Sequence, residues 1–268
     1  MAESQAVNDT VLNRLLVLVA IKFLKHWRPR RGCVLLLSKG WCVKYGQLVS
    51  LSEAASMRFI AEHTSVPVPR VICAFTRHGI TYIVMERIDG EIIGKGWLNR
   101  SAESQSKILS QVKQMIKEIR AIPPPPGQGV ANVDGGPVYD GRLPGPSQYF
   151  GPFRNIEEFH RKLRTGMDYN PGNDPKLNEL VDLHGGSWPL VFTHGDLSSL
   201  NILARGDKVV GIVDWETAGW FPAYWEYTTA CQVNPQNSFW RAEIDRFLDP
   251  YLKELLMESI RQQLFGNF

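Results

Sequence analysis

The chain has 268 residues, 44% of them hydrophobic, enough for one large domain or two lobes sharing a cleft. Its net charge of +3 gives no global pointer to a nucleic-acid partner. The four cysteines (Cys33, Cys42, Cys73 and Cys231) are scattered without a C-x-x-C pair, which argues against zinc and fits reduced thiols in a cytoplasmic protein.

Val11 to Leu24 is the most apolar stretch. Asn13, Arg14 and Lys22 interrupt it, and it falls short of the roughly 18 apolar residues of a membrane span. Neither stable membrane insertion nor a signal peptide is expected. The stretch reads as a helix packed on the domain, with a membrane-surface helix as the other option. Lys22, Lys25, His26, Arg28, Arg30 and Arg31 crowd the same region, either as a solvated face and exit or as a patch for an anionic partner. "CVLLL" and "WCVKY" flank "SKG" as a hairpin. "SEAASMRFIAEHT" predicts a helix that stops before "VPVPR", and "VICAF" and "TYIVMERI" are strands around the turn "TRHG".

"SAESQSKILSQVKQMIKEIRAI" predicts a long amphipathic helix ended by "PPPP". Gly127 to Pro152 is rich in Gly and Pro and reads as a long ordered loop. "NIEEFHRKLRTG" and "NDPKLNELVDL" follow as helices, "PLVFT" as a strand, and Trp240 to Leu264 as a helical C-terminus. The expectation is an α+β fold. Residues 1–88 would form the N-terminal helix and a small β-rich lobe. Residues 89–268 would form a larger, mostly helical lobe with one inserted hairpin.

The segment "THGDLSSLNILARGDKVVGIVDWE" stands apart. His194, Asp196, Ser198, Ser199 and Asn201 lie on a polar loop between apolar anchors. "NILA" and "KVVGIV" are short strands around the turn "RGD", so an antiparallel pairing brings Asn201 close to Asp214. Hard oxygen donors with few other protein ligands suit Mg²⁺, which keeps waters and takes phosphate oxygens. Taken singly, Asp196 could be a loop-capping Asx turn and Asn201 a buried amide.

The pattern H-x-D-x-x-x-x-N followed by a strand ending in Asp resembles the catalytic and metal-binding segments of protein-kinase-like enzymes. With Gly195 after the histidine, the segment looks like the aminoglycoside phosphotransferase and choline kinase family. "EAASMRFIAEHTSVPVPRVICAF" and "YIVMERIDG" resemble the small lobe of divergent members abundant in filamentous fungi, and the likeness runs from about Gly32 to Tyr227. It implies a protein-kinase-like two-lobed fold. It implies Asp196 as catalytic base, His194 as brace of the loop, and Asn201 and Asp214 as Mg²⁺ ligands against the phosphates of ATP.

Lys44, in the apolar strand "WCVKY", would be the family's phosphate-binding lysine; the other account is an edge-strand charge. Glu53 would be its ion-pair partner, since it shares a helix face with Met57 and Ile60; alternatively, Ser50-x-x-Glu53 is a capping box closing on its own helix. Glu86 carbonyl and Ile88 amide would bind the adenine edge. No G-x-G-x-x-G precedes Lys44, so the sequence shows no cover for the phosphates and no choice between ATP and GTP.

Gly195 stands where many protein kinases carry a phosphate-sensing Arg, and little chain follows Asp214. A small-molecule hydroxyl acceptor is therefore favoured over a protein. The aromatics Trp215, Trp220, Phe221, Tyr224, Trp225 and Tyr227 could line an acceptor site or pack the helical lobe, and Glu216 and Glu226 could bind an amine. Aminoglycosides, amino alcohols and other metabolites stay open. The alternatives are a catalytically weak or inactive kinase-fold module that binds nucleotide, and a protein kinase.

Overall fold

The computed structural model describes residues 4–143, 147–232 and 235–266. The chain divides into two compact units. The first runs to Met115 and takes in Ser199–Glu216; the second holds Ile116–Ser198 and the chain from Thr217 on.

The first unit begins with α1 (Val11–Leu24), where the Thr10 hydroxyl accepts the Asn13 amide at 3.1 Å as an N-cap. Val17 and Ile21 bury against Leu35, Val43, Phe75 and Tyr82, so the helix is packed on the domain as expected. Strands β1 (Arg30–Arg31), β2 (Val34–Leu36), β3 (Trp41–Gly46), β4 (Val71–Arg77) and β5 (Ile80–Glu86) form one antiparallel sheet in the order β1-β2-β3-β5-β4. The Ser38–Gly40 hairpin is present: Leu36 pairs with Cys42, and the Ser38 hydroxyl accepts the amides of Gly40 and Trp41. β3 lies inside the sheet, between β2 and β5, which removes the edge-strand account of Lys44.

α2 (Leu51–His63) buries Glu53, Met57 and Ile60, at offsets of four and seven, on one face. It stops at Thr64, whose amide and hydroxyl both bond to the Ile60 carbonyl, and Pro67 follows. β6 (Glu91–Ile92) and α3 (Ala102–Arg120) follow, and Ile108, Leu109, Val112, Ile116 and Ile119 form the buried stripe of α3.

In the second unit the described part of the Gly/Pro-rich stretch, which leaves out residues 144–146, is more than a loop. It carries the antiparallel pair β7 (Val138–Tyr139) and β8 (Tyr149–Phe150). α4 (Ile156–Leu163) starts at Asn155, which accepts the Glu158 amide, and α5 (Pro175–His184) starts at Asp174 with Pro175 in its first turn. β9 (Leu190–Thr193) leads into the polar loop. The chain then returns to the first unit as the hairpin β10 (Ile202–Arg205) and β11 (Lys208–Ile212), and β10 pairs with β6. That pairing carries the first unit past the division after residue 88 that the sequence suggests. β12 (Gly219–Pro222) pairs with β9 in the second unit, and α6 (Trp225–Ala230) follows.

The helical C-terminus expected from Trp240 to Leu264 is present, in separate pieces. Short 3-10 turns at Pro235–Ala242 and Ile244–Arg246 precede α7 (Leu252–Phe265). Pro250 has no amide hydrogen and disfavours helical backbone at Asp249, so a continuous helix cannot form. The aromatic run is packing, not a site lining. Phe221 stacks on Trp225 at 5.5 Å, Phe159 meets Trp225 edge-on at 5.0 Å, and Trp220, Tyr224 and Tyr227 are fully buried.

His160 and His184 are buried side by side in this unit. Their rings stack at 4.2 Å. The His160 Nδ1–H donates to the His184 carbonyl at 3.0 Å, which leaves Nε2 to accept the Tyr224 hydroxyl at 2.7 Å. Burial pulls His160 down to about 4, aided by Arg164 against the opposing pull of the His184 carbonyl. Burial, with the charges of His160, Arg164 and Arg261, pulls His184 down to about 2. Both rings are therefore neutral in the folded chain and take up protons only on unfolding. Stability is fully present above the ordinary value of 6.5 and falls as pH drops from there towards 4. We expect a decline of up to about 1.4 kcal/mol per pH unit for each histidine. Urea midpoints between pH 7.5 and 5 measure it, and His184→Gln should flatten the slope.

Candidate active site

The first unit gathers four charged side chains. The Lys44 ammonium lies 3.0 Å from Glu53 Oε1, 2.5 Å from Asp214 Oδ1 and 2.9 Å from Glu216 Oε2. Lys44 and Glu53 are almost wholly buried, whereas 40% of the Asp214 side chain and 29% of that of Glu216 are exposed. Burial opposes the Lys44 charge, but the three carboxylates, Glu53 foremost, outweigh it and hold the ammonium well above its ordinary value. Burial pushes the Glu53 carboxyl up to about 7 despite the opposing pull of Lys44. Of the two sequence readings of Glu53, the pairing with Lys44 is the one that forms. Ser50 still caps α2, but through the Ser52 amide.

β10 and β11 pair Ile202 with Ile212, and the Val213 amide donates to the Asn201 carbonyl at 2.9 Å. Asn201 and Asp214 thus lie at the same end of one hairpin, as the spacing predicts. Asp214 has a backbone φ of 67°, a left-handed conformation that Asp tolerates better than most side chains. Glu86 ends β5 and is exposed. Ile88 is half-buried and packs its side chain on Gly211.

His194 and Asp196 belong to the second unit. β12 holds β9 in register, with Gly219 opposite Thr193. Beyond it, the buried Glu226 carboxylate accepts the amides of His194 at 2.7 Å and Gly195 at 3.1 Å. The Thr217 hydroxyl donates to the His194 carbonyl, and the His194 Nδ1 accepts the Asp196 amide at 3.2 Å. Gly195 is required twice over: its φ is 81°, and a Cβ there would lie 2.8 Å from the Thr217 carbonyl oxygen. Asp196 itself is 47% exposed.

Three residues carry roles the sequence reading missed. Arg142 makes two 2.8 Å bonds to the buried Asp140, donates to the Gly195 carbonyl at 2.5 Å, and stands 3.9 Å from Asp196 Oδ1. Its only signal was an Asp-x-Arg turn in a stretch read as loop. Glu216 and Glu226 were read as amine binders, but Glu216 is bonded to Lys44 and Glu226 to the loop backbone. A cavity of about 660 Å³ in the second unit, bordered by Arg164, His184, Trp188 and Leu190, opens at the start of β9, whereas Asp196 follows its end.

The model of the phosphotransferase enzyme family matches residues 48–262, more than half of the chain. The chain belongs to this family. Solved structures of aminoglycoside phosphotransferases are similar to this chain in fold at low identity. The streptomycin–ATP ternary complex of the aminoglycoside phosphotransferase APH(2")-IIa superposes with a TM-score of 0.57 at 13% identity, covering 96% of this chain and 88% of that one. A thermostable mutant of APH(4)-Ia in its apo form gives 0.56 at 14% identity, covering 87% and 83%. The fold is thus the kinase-like one, with an antiparallel sheet unit and a mostly helical unit. Among curated proteins, a probable acyl-CoA dehydrogenase of Arabidopsis thaliana, IBR3, is 28% identical over 180 residues, 61% of this chain and 20% of that protein. A subtelomeric hrmA-associated cluster protein of Aspergillus fumigatus is 33% identical over 72 residues, 25% of this chain and 14% of that protein. The chain spans a fifth or less of the length of these curated relatives.

Lys44→Met removes the counter-charge of a buried carboxylate. We expect a loss of about 3–5 kcal/mol in urea unfolding, and recovery of most of it when Glu53→Leu is added.

Proposed function

We propose that the chain transfers the terminal phosphoryl group of ATP to a hydroxyl of a small molecule. The observation that carries this reading is the Lys44 ammonium, buried and held by Glu53, Asp214 and Glu216, in a member of a phosphotransferase family. Of its three partners, Asp214 and Glu216 are the half-buried ones that solvent reaches. A phosphate oxygen can replace them while the buried Glu53 keeps the ammonium in place.

The donors fit Mg²⁺. Glu53, Asp214 and Glu216 bring carboxylate oxygens within 4.8 Å of one another, all hard ligands, and Asn201 shares the end of the hairpin with Asp214. Asn201 and Asp214 would hold the ion, which when bound neutralises charge on the phosphates. The Glu86 carbonyl and the Ile88 amide would take the adenine edge.

Asp196 is the catalytic base in this reading. Its carboxylate is accessible, and its amide is fixed by His194. As the acceptor oxygen bonds to the γ-phosphorus, its proton passes to Asp196 and the bond to the leaving ADP oxygen breaks. His194 and Arg142 hold the loop on which this depends. Similar structures include ternary complexes with streptomycin and ATP and with ADP and hygromycin B, and the acceptor in this reading is an aminoglycoside-, amino-alcohol- or metabolite-like alcohol. The four cysteines carry no disulfide, which supports a cytoplasmic setting.

A screen of hydroxylated metabolites with labelled ATP and purified protein tests the reading. Asp196→Asn should lower turnover by about 10²–10⁴ while nucleotide affinity stays within about twofold by calorimetry. Turnover equal to the parent would reject Asp196 as base. Asp214→Ala should weaken nucleotide binding with Mg²⁺ and leave binding without it unchanged. Arg142→Ala should lower kcat by more than about tenfold with unaltered nucleotide affinity, since it acts through Gly195 and Asp196.

A further inference from the structure

α1 has a second face that the fold leaves uncovered. Val17 and Ile21 bury on the sheet, but Val11, Leu12, Leu15, Leu16, Val19 and Phe23 are 43–84% exposed. At 100° per residue these six fall in one sector of roughly 140°. Lys22 is the one charged residue among them. Trp27, just past the helix, is 86% exposed. Isolated exposed apolar residues are ordinary; a continuous stripe along a whole helix is not.

Charge surrounds this stripe with one sign. From Thr10 to Ser52 the chain has eight Lys and Arg and no acidic residue, although its overall charge is only +3. Lys22, Lys25, Arg28, Arg30 and Arg31 are all exposed. The nearest acid before the helix, Asp9, is bonded to Arg14.

We propose that α1 with the following basic segment docks the protein on an anionic bilayer surface. The apolar stripe enters the interface, Trp27 sits at headgroup level, and Lys22, Lys25, Arg28, Arg30 and Arg31 meet lipid phosphates and carboxylates. The helix lies flat. Its 14 residues span about 21 Å, and its other face is already buried on the sheet. No described helix is long and apolar enough to cross a membrane. A second copy is the poorer occupant. Twofold pairing would bring two basic segments together with no free acid on either α1 to receive them, since Asp9 is engaged.

Flotation with phosphatidylcholine vesicles, with and without phosphatidylserine, tests this on the whole chain. The protein should float with the anionic vesicles only. Salt at about 0.5 M, where the Debye length is about 4 Å, should release it. Lys22→Ala, Lys25→Ala and Arg28→Ala together should weaken binding roughly 100-fold. Leu12→Ser, Leu16→Ser and Phe23→Ser together should abolish it; none of these side chains lies in the core, and an unchanged urea midpoint verifies the fold. Failure to float with either vesicle, or flotation indifferent to phosphatidylserine, overturns the proposal. So does a dimer by light scattering that the serine variant converts to monomer, because a second copy then covers the stripe.

Discussion

A charged amine inside an apolar sheet is the constraint around which the first unit is built. Lys44 on β3 is buried, and an ammonium there costs several kcal/mol unless it is compensated. Compensation comes from three carboxylates on two other segments: Glu53 on the next element, α2, and Asp214 and Glu216 far along the chain, just after β11. The same pairing explains why a late hairpin belongs to the early unit. β10 adds to β6, the Ile212 amide bonds to the Pro67 carbonyl, and the chain then turns at Asp214 towards Lys44. The left-handed backbone at Asp214 is a local cost accepted for the direction in which it sends that carboxylate.

The second unit solves the opposite problem. Its polar loop must expose one carboxylate while holding the backbone around it still. Glu226 does this from beneath, as a buried acceptor for two consecutive amides. Arg142 does it from the side, tethered by Asp140 and bonded to the Gly195 carbonyl. Each buried charge is met by hydrogen bonds, the condition under which such groups are tolerated in an interior. Asp196 remains the accessible group of this loop.

Much of the fold was legible because local signals agreed with tertiary ones. The Ser50 cap and the spacing of Glu53, Met57 and Ile60 fix α2 by themselves, and the Ser38–Gly40 turn fixes the β2–β3 register. Where the reading was coarser than the structure, a non-local or negative signal decided. Pro250 divides the helical C-terminus into pieces that its periodicity alone does not mark. The β7–β8 pair is too short, at two residues a strand, to leave a periodic trace. Strand alternation and helix spacing place Lys44 and Glu53, and the hairpin places Asn201 beside Asp214, whereas the roles expected of them come from the family resemblance. The roles of Arg142, Glu216 and Glu226 were not legible, because they depend on backbone groups and a lysine far away in sequence.

That distinction bears on how acceptor chemistry is inferred in such chains. Acidic residues beside a phosphotransfer motif invite the idea of an amine-bearing substrate. Here each of those acids has a structural partner: Glu216 holds Lys44, Glu226 holds two amides, and Asp140 holds Arg142. The group presented next to Asp196 is a guanidinium whose charge Asp140 already balances. A count of acids around the motif therefore overstates the negative charge offered to an acceptor. In the proposed reaction, discrimination would then fall to shape and to directed hydrogen bonds, which reject a misfit alcohol because they leave buried polar groups unpaired.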